Sequence, residues 1–338
     1  MHDDASLEEL LSRPTAPVVE ALGALGGDLL ILGAGGKMGP SLARLARRAS
    51  DSAGVARRVI AVSRFSGPGI RAGLERDGVE TISADLLDPD SLKDLPPVPN
   101  VIFMAGQKFG TAEDAARTWA INALLPGLAA LRFRKSRIVA FSTGNVYPLW
   151  PVDSAGPSER DPTGPVGEYA QSALARERIL EFCSRCHGTP MVILRLNYAI
   201  EPRYGVLRDL ADRVSQGEPV DVAMGKVNVI WQRDANAIAL GALLHAAAPP
   251  LVLNLTGKPA LGVRWLAEEL GRRLGRTPVF RGREQDTALL SDARRMETLF
   301  GPPEVGIAEM LDRVAEWVLA GGGSLGKPTH FEERSGTF

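Results

Sequence analysis

Short apolar runs alternate with amphipathic stretches through the first 196 residues of the chain. The apolar runs predict buried strands, at 28–33, 58–62, 80–83, 100–104, 137–141 and 191–196. The amphipathic stretches repeat their apolar positions every three to four residues and predict helices, at 40–48, 69–76, 112–133 and 168–182. Strands that alternate with helices indicate βαβ units and a parallel sheet covered on both faces.

The pattern loosens after residue 196, where helices are predicted at 206–216, 236–247, 263–274 and 306–319 and strands at 227–231 and 251–255. We therefore predict an α/β protein, a Rossmann-like doubly wound parallel sheet with a smaller, mostly helical C-terminal substrate lobe. The predicted parts are an N-terminal helical extension (1–27), a dinucleotide-binding domain (28–196 with about 227–255), the lobe (197–226 and 256–320) and a flexible tail (321–338).

Composition narrows the function classes. The 338 residues carry a formal net charge of −1, with 45% hydrophobic and 23% charged residues, which is typical of a globular protein and not of a broadly basic nucleic-acid binder. The most apolar long stretch, 237–255, is interrupted by His245 and two prolines, so it is a poor membrane span. We expect a cytoplasmic protein that binds a small molecule, and neither nucleic acid nor membrane.

The two cysteines lie in a C-x-x-C-H run formed by Cys183, Cys186 and His187, a spacing that is found in c-type haem proteins. Haem attachment requires export, and the acidic N-terminus has no apolar signal segment, so we expect neither haem nor a metal site. Only seven of the 39 basic residues are lysines, which makes each lysine worth locating, because arginine cannot replace lysine in proton chemistry.

A glycine-rich turn joins the first predicted strand to the following helix. Residues 33–39 read Gly-Ala-Gly-Gly-Lys-Met-Gly, a G-x-x-G-x-x-G pattern formed by Gly33, Gly36 and Gly39. Glycines at these positions allow a sharp turn and a close approach of the backbone to a pyrophosphate, and the helix N-terminus offers N–H donors. The sequence therefore predicts dinucleotide binding.

The second predicted strand ends without the acidic residue that commonly binds the adenosine ribose of NAD. Ser63 and Arg64 stand there instead, and Arg64 could pair with a 2′-phosphate, with Lys37 as a second cation. This arrangement favours NADP over NAD. The alternative is that Arg64 only ends the strand in solvent.

Further motifs follow in a fixed order: Asp85-Leu86, Met104-Ala105-Gly106, Asn122, the segment 141–147 (Phe-Ser-Thr-Gly-Asn-Val-Tyr), Gly167-Glu168-Tyr169, and Arg195-Leu196-Asn197 before Glu201-Pro202-Arg203. With these motifs, residues 28–319 resemble the extended short-chain dehydrogenase/reductases, the NAD(P)-dependent sugar epimerase/dehydratase family. The resemblance implies a sugar-like or nucleotide-sugar substrate and a homodimer that pairs through helices 112–133 and 168–182.

The resemblance also implies site residues. In the family a Ser or Thr and a Tyr bind the reacting oxygen, which assigns catalytic roles to Thr143 and Tyr169. The expected cofactor contacts are Gly33, Gly36, Lys37, Met38, Gly39, Ser63, Arg64, Asp85, Leu86, Met104, Ala105, Gly106, Ser142, Tyr169 and Leu196. The expected substrate contacts are Lys108, Asn145, Tyr147, Asn197 and Arg203.

One position departs from the family. The family's lysine four residues after the tyrosine, which holds the ribose and lowers the tyrosine pKa, is replaced by Ala173. Arg176 lies seven residues after Tyr169 on the same helical face, but we expect it to be a solvent-facing charge, as exposed cations usually are. Lys108, in the loop after the fourth strand, is the candidate acid/base or substrate-anchoring group.

Two functions therefore stay open at the level of sequence. The first is an NAD(P)-dependent oxidoreductase or epimerase with an altered catalytic site. The second is a non-catalytic nucleotide-binding sensor or partner subunit, which the alanine at position 173 would explain.

Overall fold

The computed structural model describes residues 3–111 and 113–337. Outside this range lie residues 1, 2, 112 and 338, at which the predicted N-terminal extension, the predicted helix 112–133 and the predicted tail begin or end. Seven strands form one sheet: β1 (Leu29–Leu32), β2 (Val59–Ser63), β3 (Glu80–Ser83), β4 (Asn100–Phe103), β5 (Arg137–Thr143), β6 (Met191–Leu196) and β7 (Leu251–Leu255). Their order is β7-β6-β5-β4-β1-β2-β3, and every neighbouring pair is parallel. The predicted doubly wound Rossmann-like sheet is confirmed.

The alternation of side chains along each strand explains why both faces are covered. In β1, Leu29 and Ile31 face one hydrophobic cluster, whereas Leu30 and Leu32 face the cluster on the other side of the sheet. All four are fully buried. A strand buried on both faces is continuously apolar, which is the pattern seen in the sequence.

The helices are α1 (Asp4–Leu11), α2 (Ala16–Ala24), α3 (Gly39–Ser52), α4 (Ile70–Arg76), α5 (Pro89–Asp94), α6 (Ala115–Trp119), α7 (Leu125–Arg132), α8 (Gly167–His187), α9 (Val206–Gln216), α10 (Gln232–Gly241), α11 (Val263–Leu274), α12 (Arg294–Phe300) and α13 (Ile307–Leu319). One π-helical turn, Ala120–Leu124, separates α6 from α7 inside the predicted helix 112–133. Such turns occur often at functional sites. Helix α8 runs through the C-x-x-C-H segment, with Cys183 buried and Cys186 exposed.

The lobe is built from α9, α11 and α13 around a second core that contains the fully buried Trp231. The predicted strand 227–231 is wrong, because the chain forms two separate two-residue strands there, Lys226–Val227 and Ile230–Trp231. Outside the main sheet, the first of these pairs with Leu261–Gly262 and the second with Ala199–Ile200. The other short strands are Trp150–Pro151 with Thr287–Ala288 and Val220–Asp221 with Phe280–Arg281.

The expectation of a flexible tail differs from the structure, which packs the C-terminal segment (residues 321–337) against the lobe. Phe331 is 2% exposed and belongs to the lobe core. The backbone N–H and hydroxyl of Thr329 both donate to the Asp209 carboxylate, and Arg334 donates to Thr287. The buried Phe331 ring and these hydrogen bonds hold the segment in place, although its glycine-rich composition alone predicts mobility.

The N-terminal helices join the two cores. Leu7 and Leu11 of α1 pack into the lobe core, whereas Val18 and Leu22 of α2 pack into the sheet core. Within the described residues, none of the helices is long and apolar enough to cross a membrane.

Candidate functional site

A cavity of about 360 Å³ lies at the carboxyl ends of β1, β4, β5 and β6, between the sheet and the lobe. Ligands of open α/β sheets bind at this edge. The cavity is lined by Gly33, Gly36, Lys37, Met38, Gly39, Met104, Gly106, Gln107, Lys108, Phe109, Phe141, Ser142, Thr143, Asn145, Tyr169, Arg176, Leu196, Asn197, Tyr198, Ala199, Tyr204, Gln232, Lys327 and Thr329.

The glycine turn forms the floor of the cavity, and two of its glycines leave no room for a side chain. Gly33 has φ +90°, and a Cβ there would lie 2.6 Å from the backbone nitrogen of Ala105. A Cβ on Gly39 would collide with the carbonyl of Ala34. These two glycines therefore let the turn pack closely against the loop after β4 and against its own first residues, and Gly33, Gly36 and Gly39 line the cavity at the N-terminus of α3, where backbone N–H groups fit the pyrophosphate of a dinucleotide.

The expected adenosine-binding residues lie at the ends of β2 and β3, outside the lining of the cavity. Arg64 is exposed, and the Asp85 carboxylate accepts the backbone N–H of Leu87. Leu86 is buried in the sheet core. Lys37 is not a second cation beside Arg64, as we expected, because its ammonium turns into the cavity.

Lys37 stands over two aromatic rings instead. Its Nζ lies 4.5 Å from the ring centre of Phe109 and 3.3 Å from that of Tyr204. Its pKa is lowered to about 7, mainly by burial and also by the charges of the nearby Lys108 and Lys327. Aromatic faces attract a cation without neutralising it.

Thr143 and Tyr169 meet in the cavity, as the family pattern implies. Thr143 is the last residue of β5, Tyr169 lies in the first turn of α8, and a side-chain hydrogen bond joins them. Burial raises the pKa of the Tyr169 hydroxyl, whereas Thr143 and Arg176 act in the opposite direction. Ser142 also lines the cavity, but its hydroxyl donates to the buried Glu177 carboxylate at 2.6 Å.

The expectation that Arg176 faces solvent is wrong, because its side chain crosses the interior behind Tyr169. Arg176 is 6% exposed, and its Nε donates to the carbonyl of Asn122 at 3.0 Å. Its Nη1 donates to the carbonyl of Phe141 at 2.6 Å, and its Nη2 to the Asn122 Oδ1 at 3.0 Å. A helix packed against the sheet buries this face, and carbonyl and amide oxygens of the β5 end and the π-helical turn accept hydrogen bonds from the guanidinium.

Asn122 organises this region from the π-helical turn. Its Nδ2 donates to the carbonyl of Gln107 and to the hydroxyl of Ser172, and its Oδ1 accepts the backbone N–H of Gln107. The loop after β4 and helix α8 are therefore tied to one side chain. Ala173, which is 1% exposed, packs against Val146 and Tyr147 and is not part of the lining.

Lys108 also lines the cavity. Its Nζ donates to the backbone carbonyl of Thr329 at 3.0 Å and lies 6.0 Å from the ring centre of Tyr198. Burial lowers its pKa to about 8. Tyr198 has φ +47°, which is a strained backbone conformation for an aromatic residue and is typical of functional sites.

Of the expected substrate contacts, Asn145 and Asn197 line the cavity, whereas Tyr147 and Arg203 do not. Tyr147 is 2% exposed, accepts a hydrogen bond from Arg195 and donates to Asn254, and burial raises its pKa to about 12. Arg203 pairs with three carboxylates, those of Glu201, Glu8 and Asp4. Their polar groups are already bound to protein partners, so both are structural here.

Several lining residues were missed from the sequence: Gln107, Phe109, Phe141, Ala199, Tyr204, Gln232, Lys327 and Thr329. Lys327 was hidden in the predicted tail, although the scarcity of lysine could have singled it out. The described residues contain no group of three or more His, Cys, Asp or Glu that could hold a metal ion.

Comparison with solved structures finds the same fold at low sequence identity. The UDP-glucose 4-epimerase of Thermotoga maritima, solved with UDP-glucose, is 18% identical over 86% of this chain and 98% of its own, with a TM-score of 0.70. The UDP-glucose 4-epimerase of Thermus thermophilus, solved with NAD, is 19% identical over 86% and 98%, with a TM-score of 0.69. The UDP-glucuronic acid 4-epimerase of Bacillus cereus, also with NAD, is 19% identical over 86% and 96%, with a TM-score of 0.72.

Comparison with curated proteins finds no match. The model of one protein family matches residues 29–234. The matched range includes the glycine turn, Thr143, Tyr169 and the entry to the lobe. This match covers more than half of the chain and confirms the resemblance drawn from its motifs. The chain belongs to the NAD dependent epimerase/dehydratase family, a family of enzymes.

Proposed function

We propose that this protein is a nicotinamide-dependent enzyme that acts on a hydroxyl or carbonyl group of a sugar-like substrate, most simply a nucleotide sugar. The observation that carries this proposal is the hydrogen-bonded pair of Thr143 and Tyr169, which share one cavity with the glycine turn. The solved relatives with UDP-glucose support the substrate class.

The cofactor proposal rests on the glycine turn, which lines the cavity at the N-terminus of α3. The turn at Gly33 and Gly39 would hold the pyrophosphate, and Met104, Gly106 and Leu196 would border the nicotinamide. When bound, a nicotinamide supplies hydride acceptance and return. The family description and the NAD-bound relatives support a nicotinamide cofactor.

The proposed chemistry of the protein is proton transfer at a substrate oxygen. The Tyr169 hydroxyl exchanges a proton with that oxygen while the Thr143 hydroxyl hydrogen-bonds the same atom and fixes its position. Because burial raises the Tyr169 pKa, the phenolate form needs a positive charge nearby. Asn145 and Asn197 offer amide groups to sugar hydroxyls from the same cavity.

Lys108 is proposed as the anchor of an anionic group, such as the diphosphate of a nucleotide sugar. Lys108 and Lys327 both line the cavity that holds Tyr169. A buried ammonium whose pKa is lowered gains a strong charge-assisted hydrogen bond when an anion arrives. An anchoring role suits this position better than the acid/base role, which Tyr169 fills.

The test is conversion of nucleotide sugars by the purified protein, followed by NMR with UDP-glucose and UDP-glucuronic acid and by absorbance of the reduced cofactor. Replacement of Tyr169 by Phe (Tyr169→Phe) removes only the hydroxyl, so we expect the rate to fall by about 10²–10⁴-fold with cofactor binding retained. If the Tyr169→Phe variant keeps the native rate, the proposed role of Tyr169 is wrong.

The non-catalytic alternative rested on the alanine at position 173. The buried Arg176 weakens that argument, because a cation is present beside Tyr169 although the lysine is missing. We therefore propose the enzyme and not the sensor.

We further propose that the cofactor is NADP. Ser63 brings no negative charge to the end of β2, and the exposed Arg64 is available for a 2′-phosphate. Titration of the native protein with NADP and NAD should show tighter NADP binding, and Arg64→Asp should reverse the order. Equal affinities of the native protein for both cofactors would contradict the proposal.

A homodimer and a cytoplasmic location stay predictions. The apolar side chains of Leu124 (56% exposed), Leu131 (50%) and Phe182 (67%) support a dimer through the α6–α7 and α8 helices. Light scattering at micromolar concentration should give twice the chain mass, and Phe182→Asp should give the monomer.

A further inference from the structure

We propose that Arg176 supplies the positive charge that the family obtains from the lysine four residues after the tyrosine. The charge thus reaches Tyr169 from the next turn of α8 and in a different chemical form. This inference rests on the proposed function for the role of Tyr169, but the effect of Arg176 on the Tyr169 pKa can be measured without substrate.

The first argument is that no carboxylate of the described residues forms a hydrogen bond or an ion pair with Arg176, although the charge of the adjacent Glu177 acts on it. Its three hydrogen-bond acceptors are the carbonyl of Phe141 and two oxygens of Asn122, all of them uncharged. No ion pair in the described part of the chain includes Arg176. The neighbouring buried arginine, Arg195, is held instead by the carboxylate of Glu177 at 2.7 Å.

The second argument is orientation. The guanidinium is held at three of its N–H groups, which leaves two N–H groups, and the side chain lines the same cavity as Tyr169. A Cβ on Gly106 would lie 3.1 Å from its Nη2, so the charged group comes close to the bare backbone after β4. A fixed charge aimed into a cavity can act on whichever group ionises there.

The third argument is the geometry of the helix. Residues seven apart lie on one face, and side chains lean toward the helix N-terminus. A long arginine at position 176 therefore reaches back over the turn that holds position 173. Ala173, which has no side chain beyond Cβ, places nothing on that path.

The fourth argument is electrostatic. Arg176 and Thr143 both favour the ionised form of Tyr169 and oppose the effect of its burial. An opposite charge within a few ångströms lowers the pKa of an acid by about 1–3 units. An arginine supplies this charge at every working pH, but it cannot pass on a proton as lysine can.

The experiment measures the ionisation of Tyr169 in the protein without substrate or cofactor. The chain has four tyrosines, so biosynthetic labelling with fluorinated tyrosine gives four ¹⁹F signals, and Tyr169→Phe identifies the one sought. Fluorination lowers the phenol pKa into a measurable range. The other groups that face this cavity and titrate, Lys37, Lys108, Lys327, Tyr198 and Tyr204, are unchanged in every variant.

In Arg176→Gln we expect the pKa of the labelled Tyr169 to rise by about one unit or more, and in Arg176→Lys to rise less. The matched control is Arg57→Gln, since Arg57 is equally buried (6% exposed), does not line the cavity and donates only to backbone carbonyls at the C-terminal end of α2, those of Leu22 and Leu25. It should destabilise the fold without moving the Tyr169 signal.

Lysine at position 173 provides the rescue. Ala173→Lys in the Arg176→Gln background should lower the Tyr169 pKa again and restore activity, which a purely structural role of Arg176 would not explain. If Arg176→Gln fails to fold, the Tyr169 pKa is measured instead in Ala173→Lys and in Arg176→Lys, each in the native background. A Tyr169 pKa that is the same in folded variants with and without the cation overturns the inference. A shifted pKa without any sugar conversion instead counts against the proposed function alone.

Discussion

The two walls of the cavity hold their cations in opposite ways. On the sheet wall, formed by the glycine turn, the ends of β4 and β5 and the start of α8, Arg176 is fixed by neutral oxygens of Asn122 and Phe141. On the lobe wall, formed by Tyr198, Tyr204 and the C-terminal segment, aromatic rings receive the ammonium groups of Lys37 and Lys108, which extend from the glycine turn and from the loop after β4. In the function that we propose, the sheet wall orients the reacting groups and the lobe wall binds an anion.

This difference follows from the elements that make each wall. Parallel strands end at one edge, so their last carbonyls and the following turns are placed by the whole sheet. The lobe wall comes from loops and from a segment at the end of the chain, whose position depends on a few buried side chains. Substitutions on the two walls should therefore separate loss of geometry from loss of charge.

The largest effect is expected where the lobe wall depends on one aromatic residue. Phe331→Ala removes a side chain that is 2% exposed in the lobe core, at a cost of about 3 kcal/mol. Because the segment is terminal, we expect residues 325–337 to detach while the sheet stays folded. Hydrogen exchange should show that amide protection is lost within this segment, for example at Thr329 and Ser335, and is kept in the rest of the chain.

The control is Leu325→Ala, an apolar residue of the same segment that is 37% exposed. It should leave the exchange pattern unchanged. If Phe331→Ala also leaves Thr329 protected, the contacts of Asp209 hold the segment without the aromatic side chain, and the two walls are more alike than we infer.

A smaller effect is expected on the sheet wall. Gly39→Ala places a methyl group against the carbonyl of Ala34, so the turn must shift, which costs about 1–3 kcal/mol and weakens cofactor binding. In Gly36→Ala the nearest atom is the carbonyl oxygen of Gly33 at 3.5 Å, an ordinary contact. Thermal unfolding should therefore separate the two variants. Equal loss of stability in both would mean that the turn tolerates no side chain anywhere.

The smallest effect is a change of charge without a change of fold. Lys108→Met should weaken binding of UDP at pH 7 by about tenfold, the loss of one charge-assisted contact. Because the Lys108 pKa is lowered to about 8, its ammonium is charged below pH 8 and neutral above it, so native affinity should fall as pH rises through 8. Calorimetry across pH should show that the variant loses the part of this fall that Lys108 produces and keeps the part that Lys37, with a pKa of about 7, produces.

Lys226→Met is the matched control, since Lys226 also donates to a backbone carbonyl, that of Val152, but does not line the cavity. Its UDP affinity should follow the native curve. A Lys108→Met variant with native affinity at pH 7 would show that the lobe wall does not bind the anion through this residue.

The fold and the catalytic pair could be predicted from the sequence because their signals are local. Continuous apolar runs require burial on both faces, and Gly39 is required by a contact with the carbonyl of Ala34, only a few residues earlier in the chain. Thr143 and Tyr169 each sit at a fixed point of a strand end or a helix start.

The burial of Arg176 could not be predicted, because it depends on acceptors from the π-helical turn and from β5, 54 and 35 residues away in the chain. The docking of the C-terminal segment depends on a lobe pocket for Phe331, and composition alone suggests a free end. The inward turn of Lys37 is likewise set by two aromatic rings from distant loops.

The lowered pKa of Lys37 has a thermodynamic consequence. At a pKa of about 7, roughly half of the molecules hold this amine neutral at neutral pH. An arriving anion favours the charged amine, so binding must draw protons from the buffer. The measured heat of binding will then vary with the ionisation enthalpy of the buffer, and its slope will count the protons taken up by the cavity.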